Sequence, residues 1–171
     1  LIAGKVLDWV KEKGPNAMVV AFCLVFLILL LDLKSFRLAV ITFLPLLTGL
    51  ALTGGLMSIF HIRLNFINIV MLPSIVGIMI DHCIYLSHHI LDYSKGASLK
   101  SLQETGSAIM LSALTSLAGY TSLNIAHHAG MNSIATVVEL GIITCTVCAL
   151  YMLPALFEIR KRKFSLFQVE R

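Results

Sequence analysis

Five long apolar stretches follow one another along the chain, separated by short polar segments. A helix needs about 20 apolar residues to cross about 30 Å of hydrocarbon, and each stretch is about that long. The pattern therefore predicts an all-α membrane protein with five transmembrane helices. Their expected bounds are about residues 15–33, 36–60, 65–91, 105–126 and 131–157.

Polar segments flank these stretches at both ends of the chain. Residues 1–14 are expected to be the tail of an extracytoplasmic domain or a linker, and residues 158–171 a basic cytoplasmic tail. Fewer lysine and arginine residues fall on the side of the N-terminus than on the opposite side. The positive-inside rule therefore predicts an outside N-terminus and a cytoplasmic C-terminus, in agreement with an odd number of helices.

The composition supports a membrane protein. Of the 171 residues, 58% are hydrophobic and 13% are charged, whereas soluble domains have about 45–50% apolar and about 25% charged residues. This excludes a soluble enzyme, a disordered tail and a disulfide-stapled secreted domain. The chain begins with Leu1 and has no recognisable signal peptide, so we expect it to be part of a longer polypeptide.

A carboxylate in the middle of the third stretch is the strongest chemical signal. Asp81 is expected near mid-membrane, where an ionisable side chain is normally protonated, paired or in contact with water. Helical spacing places Ser74, Gly77, Tyr85 and His88 on the same face. Because its surroundings decide its charge, such a carboxylate is a natural proton carrier. The alternative is a structural carboxylic acid that hydrogen-bonds a neighbouring helix.

The fourth stretch carries small and hydroxyl residues at helical spacing. They are Ser112, Thr115, Ser116 and Gly119. Patterns of small residues four apart allow helices to approach closely, and packing alone would explain most of these positions. A hydroxyl group opposite Asp81 would also be able to pass or accept a proton. Thr115 is the main candidate for that group, with Ser112 and Ser116 as alternatives.

Other titratable residues are weaker candidates. Glu139 lies nearer the outer end of the fifth stretch, where it either faces an aqueous cavity or reaches the membrane interface. The six histidines are expected at opposite ends and in the middle of the membrane, too far apart to bind one metal ion. Cys145 and Cys148 are expected to be small core residues. We therefore expect no metal site and no cofactor.

Five motifs in order carry a resemblance to a known transporter superfamily. They are Asn65-Phe66-Ile67-Asn68 before Leu72-Pro73, Gly77-Ile78-Met79-Ile80-Asp81-His82, Ser112-Ala113-Leu114-Thr115-Ser116, Gly130-Met131, and Leu153-Pro154-Ala155-Leu156 before the basic tail. Their order and spacing resemble the last five of the twelve helices of resistance-nodulation-division (RND) transporters. The similar branch is that of the MmpL-like and hopanoid-exporter-like lipid transporters.

The resemblance implies proton-driven export of a lipid or another hydrophobic molecule across the bacterial inner membrane. In the family, an Asp in the corresponding helix, often followed by Tyr, belongs to the proton relay, and Asp81 matches it. His82 stands where Tyr is frequent, and an imidazole can itself titrate. The expected relay is Asp81, His82, Tyr85 and Thr115. The expected supporting residues are Gly77, Ser112, Ser116, Gly119 and Glu139.

The resemblance also implies partners. These are membrane lipids, a hydrophobic substrate, the N-terminal half of the same transporter and a second copy of the chain, with no nucleic acid. Protons are the coupling ion, and no enzymatic activity is expected. Two other functions stay open: a protein-export accessory subunit of the same superfamily, and a non-transporting scaffold or sterol-sensing-type module in which Asp81 is structural.

Overall fold

In the computed structural model the chain forms five long α-helices and one short 3-10 helix. The α-helices are α1 (Ile2–Leu33), α2 (Phe36–Ile59), α3 (Phe66–Ser94), α4 (Leu99–Thr121) and α5 (Ala129–Val169), and the 3-10 helix is Ser122–Asn124. The structure describes the backbone of residues 2–62, 66–94, 99–125 and 129–169, and the side chains of residues 16–62, 71, 73–92, 103–125 and 130–160. This part of the chain contains no strand, which confirms the predicted all-α fold.

α1, α3 and α5 are longer than the apolar stretches that predicted them, whereas α2 ends one residue and α4 five residues before the predicted end. The backbone of residues 2–14, expected to be a tail or linker, continues α1, and α5 runs to Val169 within the expected basic tail. α4 begins at Leu99, six residues before the predicted start. Lysine, arginine, glutamate and glutamine are good helix formers, so a helix continues where its apolar stretch has ended. The side chains of residues 1–15 and 161–171 lie outside the described residues.

Four of the five helices are long and apolar enough to cross a membrane. The candidate spans are Asn16–Leu33, Phe36–Ile59, Pro73–Asp92 and Gly130–Arg160. α4 is not among them, because serine, threonine, glutamine and glutamate dilute its apolar residues. Its 23 residues rise about 35 Å, which is long enough to cross. The crossing of α4 therefore stays a prediction.

α5 lies at the centre of the bundle. It packs against α2, α3 and α4, whereas α1 packs against α2 and α3 at the side. The core consists of large apolar side chains that α2, α3 and α5 bury completely. Examples are Leu46, Ile75, Met79, Val138, Ile142 and Leu153.

A tight turn and a group of phenylalanines hold α1 against α2. Lys34 adopts a positive φ of 48° between the two helices, and α2 begins two residues later. The Phe26 ring makes edge contacts with the rings of Phe36 and Phe43, with centroids 5.8 and 5.4 Å apart. These contacts fix the end of α1 that carries Asp32.

A buried hydrogen bond joins α2 to α5. The hydroxyl groups of Thr53 and Thr144 lie 2.7 Å apart. Each hydroxyl oxygen also lies 2.8 Å from a carbonyl oxygen of its own helix, that of Gly49 for Thr53 and that of Leu140 for Thr144. Since each hydroxyl group has one hydrogen, one of the two donates across the interface and the other donates to its own helix. Both side chains are buried, so the two hydroxyl groups form a polar contact inside an otherwise apolar interface.

Replacing Thr53 by valine is expected to lower the free energy of unfolding by about 1 kcal/mol, the size typical of one interhelical hydrogen bond in a membrane bundle. Valine keeps the shape of the side chain and removes the hydroxyl group. Thr144 then keeps only its bonds to its own helix. Equilibrium unfolding in detergent micelles measures the effect, and Thr53→Ser, which retains the hydroxyl group, is the control. Equal stability of Thr53→Val and the unaltered protein would contradict the prediction.

Candidate functional site

One face of α3 carries Asp81 and is left uncovered by the rest of the bundle. Ser74, Gly77, Asp81 and Tyr85 are all exposed on it. A Cβ placed on Gly77 meets no atom within 4 Å. No hydrogen bond joins the Asp81 carboxylate to another described residue. The middle of the third membrane span therefore carries an ionisable side chain on the outer surface of the bundle.

α4 presents a second uncovered face, made of small and hydroxyl residues. Ser112, Thr115 and Gly119 are exposed, while Ser116 is half-buried. A Cβ placed on Gly119 also meets no atom within 4 Å. The Thr115 hydroxyl donates to the carbonyl oxygen of Leu111 in its own helix at 2.8 Å. Thr115 and Gly119 thus lie on the outer surface of the described bundle, and the structure does not join Thr115 to Asp81.

His82 points in a different direction from Asp81, because consecutive helical residues are about 100° apart. Its side chain is buried, with 7% exposure. Nε2 lies 3.4 Å from the Ser112 hydroxyl oxygen, and Nδ1 is buried without a hydrogen-bond partner in the described structure. His82 and Ser112 therefore make a polar contact between α3 and α4.

An acid–base pair lies at the end of the bundle where α1 ends. Nε2 of His88 is 2.6 Å from Oδ2 of Asp32, and both side chains are partly exposed. The ring of Tyr85, on the face of Asp81, packs edge-on against the ring of His89 with centroids 4.7 Å apart. Sequence reasoning missed Asp32, because a carboxylate near the end of an apolar helix is typical of the membrane interface. The helical spacing had pointed to His88 alone.

Glu139 is part of a separate polar contact between α5 and the 3-10 helix. Its Oε1 accepts a hydrogen bond from the Asn124 side-chain amide at 3.2 Å. Glu139 is half-buried, and the amide oxygen of Asn124 is buried without a described partner. The structure thus ties Glu139 to the segment that follows α4 and does not bring it to Asp81.

The described histidine, cysteine, aspartate and glutamate side chains form no group of three that could hold a metal ion. Of the two cysteines predicted to be core residues, Cys145 is buried and Cys148 is half-buried, both as free thiols. His127 and His128 lie outside the described residues. The side chains of the motif at residues 65–68 also lie outside them.

Comparison with known proteins assigns the family. The sequence matches the MMPL family over residues 6–171. The chain belongs to the MMPL family. The predicted resemblance to the MmpL-like branch of RND transporters is therefore confirmed, and this MMPL-family chain is a multi-pass membrane protein.

Two relatives illustrate how the MMPL-family chain fits into longer proteins. It is 30% identical over 161 residues to the putative membrane protein MJ1562 of Methanocaldococcus jannaschii, covering 91% of this chain and 42% of that protein. It is 28% identical over 130 residues to the hopanoid transporter HpnN of Rhodopseudomonas palustris, covering 76% of this chain and 15% of that transporter. No solved structure matches the chain. The chain thus spans less than half the length of either relative.

Proposed function

We propose that this chain is the C-terminal membrane half of a proton-driven exporter of lipids or other hydrophobic molecules, with Asp81 as its proton carrier. The observation that carries the proposal is the uncovered Asp81 carboxylate in the third span. A carboxylate inside hydrocarbon must be protonated, paired or in contact with water. The face around Asp81 therefore meets another protein surface or an aqueous path in the working transporter.

The partner that best fits this face is a second membrane bundle from the same transporter. The small residues of α4 beside it would let another helix approach closely. Both relatives contain more sequence than this chain matches, which supports a protein with a further membrane portion. A second copy of the chain is the other partner that would cover the same face.

Within this proposal, the described residues have different roles. Asp81 takes up and releases the proton, and Tyr85, one helical turn away, is the nearest protic side chain on the same face of α3. His82 follows Asp81 directly and contacts Ser112. A change of charge at Asp81 would therefore alter the field at a buried imidazole that joins α3 to α4. Thr115, Ser116 and Gly119 belong to the packing surface for the second bundle.

We place the chain in the cytoplasmic membrane with its N-terminus outside. Lys34 and Arg37 follow α1, and Arg160 lies at the end of the α5 span. In a bundle whose five helices all cross the membrane, these positions fall on one side. The positive-inside rule assigns that side to the cytoplasm.

Removal of the gene is expected to shift one class of hydrophobic molecule from the outer envelope to the inner membrane. Mass spectrometry of lipids from separated membrane fractions measures the shift. A protonophore should produce the same shift in cells that carry the gene, because the proposed export uses the proton gradient. An unchanged lipid distribution would contradict lipid export. Secreted proteins retained in the cytoplasm would then favour the protein-export function, and their normal secretion the scaffold.

A further inference from the structure

We propose that Asp32 and His88 form a proton-exchange site that connects Asp81 with water at the end of the bundle where α1 ends. The proposal rests on the proposed role of Asp81 as a proton carrier. It adds a carboxylate from a different helix, α1, to the residues that serve Asp81.

Asp81 and His88 lie on one face of α3. Asp81, Tyr85 and His88 are spaced by four and three residues, so they lie in one row, and all three side chains are exposed. Seven residues of helix place His88 about 10.5 Å from Asp81 along the axis, with Tyr85 between them. Each of the three side chains can bind or release a proton, and single water molecules would bridge the intervals.

The pair itself has the chemistry of an exchange site. The 2.6 Å distance between His88 Nε2 and Asp32 Oδ2 is that of a strong acid–base hydrogen bond. Histidine is the side chain whose charge changes most readily near neutral pH. With Nε2–H donated to Asp32, Nδ1 remains the atom that takes up and releases the transferred proton. The carboxylate orients the ring.

The location of the pair suits contact with water. Asp32 is the penultimate residue of the first span and His88 lies in the last turns of the third, before Asp92. The side chains are 36% and 46% exposed, respectively. Titratable or charged side chains close to the pair in the sequence are Lys34, Arg37, Tyr85, His89 and Asp92.

A purely structural ion pair explains this arrangement less well. Ion pairs between exposed side chains contribute little to stability. The α1–α2 turn and the phenylalanine contacts already hold this end of α1.

Carbodiimide labelling of Asp81 tests the proposal without a transported substrate. Dicyclohexylcarbodiimide modifies protonated carboxyl groups inside membranes, and mass spectrometry of the peptide that contains Asp81 gives the yield. Right-side-out and everted membrane vesicles that contain the native polypeptide are held at different inner and outer pH. In the unaltered protein, the yield at Asp81 should follow the pH on the side of Asp32 and His88.

Asp32→Asn and His88→Gln should each reduce the response of the Asp81 labelling yield to pH on the order of tenfold. This loss is smaller than the usual loss on removing a positioned proton-transfer group, because water can partly replace that group. With equal pH on both sides of the membrane, the labelling yield at Asp81 should be the same in these variants as in the unaltered protein, which would show that their fold is intact. The exchanged pair, Asp32→His with His88→Asp, should restore the response. Asp92→Asn, which removes a carboxylate from the same end of α3, is the matched control.

The outcomes separate the two proposals. A full response in Asp32→Asn and His88→Gln, or no response in the exchanged pair, overturns the exchange site and leaves the role of Asp81 intact. Absence of labelling at Asp81 at every pH contradicts the proton-carrier role and, with it, the exchange site.

Discussion

Asp81→Asn is expected to reduce proton-coupled transport by the native polypeptide at least about a hundredfold, the loss typical of removing a group that transfers protons. An amide has nearly the size and shape of the carboxyl group, and it neither binds nor releases protons near neutral pH. Because the Asp81 side chain is exposed and has no described hydrogen bond, the bundle should fold and insert normally. Transport of the lipid class found by gene removal, measured in membrane vesicles, gives the size of the loss.

Two further substitutions make this experiment specific. Asp81→Glu keeps the carboxyl group on a longer side chain, and it should retain part of the transport. Asp92→Asn removes a carboxylate near the end of the same span and, about 16 Å from Asp81 along the helix axis, should leave transport nearly unchanged. Normal transport by Asp81→Asn would refute the relay. Reduced stability of Asp81→Asn with unchanged transport would support the scaffold function.

The second large effect is expected at Gly49, where α2 lies in close contact with α5. A Cβ at this position would lie 2.7 Å from the backbone α-carbon of Cys145 and 2.6 Å from its Sγ. Because the α-carbon is a backbone atom, rotation of a side chain cannot relieve that clash. Gly49→Ala should therefore separate two central helices and lower the free energy of unfolding by about 3 kcal/mol, at the upper end of ordinary overpacking costs. Equilibrium unfolding in detergent micelles measures it.

Other glycines provide graded controls. At Gly141 a Cβ would lie 2.9 Å from Cγ2 of Ile75, a side-chain atom that can shift, so Gly141→Ala should cost about 1 kcal/mol. At Gly54, in the same helix as Gly49, a Cβ meets nothing within 4 Å. Gly54→Ala should be neutral or raise stability by up to about 1 kcal/mol, because alanine is the better helix former. Equal effects at Gly49 and Gly54 would contradict the close approach of α2 and α5.

The sequence determined the class of protein and the main chemical candidate. Hydropathy alone predicted five helices, because the length of an apolar stretch is set by the thickness of the membrane. It also marked Asp81, since a carboxylate is conspicuous within an apolar stretch. The ordered motifs predicted the family. The ends of the helices were predicted less well, because Ile2 and Val169 lie in polar segments that are nevertheless helical.

Only the tertiary structure decided which faces are covered. Lipid tails are as apolar as leucine, so hydropathy cannot distinguish the side of a membrane helix that meets protein from the side that meets lipid. The resemblance grouped His82 with Asp81 in one relay, while the structure buries His82 against Ser112 and leaves Asp81 uncovered. Likewise, the hydrogen bond between Asp32 and His88 joins residues 56 positions apart. Contacts of that kind depend on how α1 and α3 pack, which no local pattern encodes.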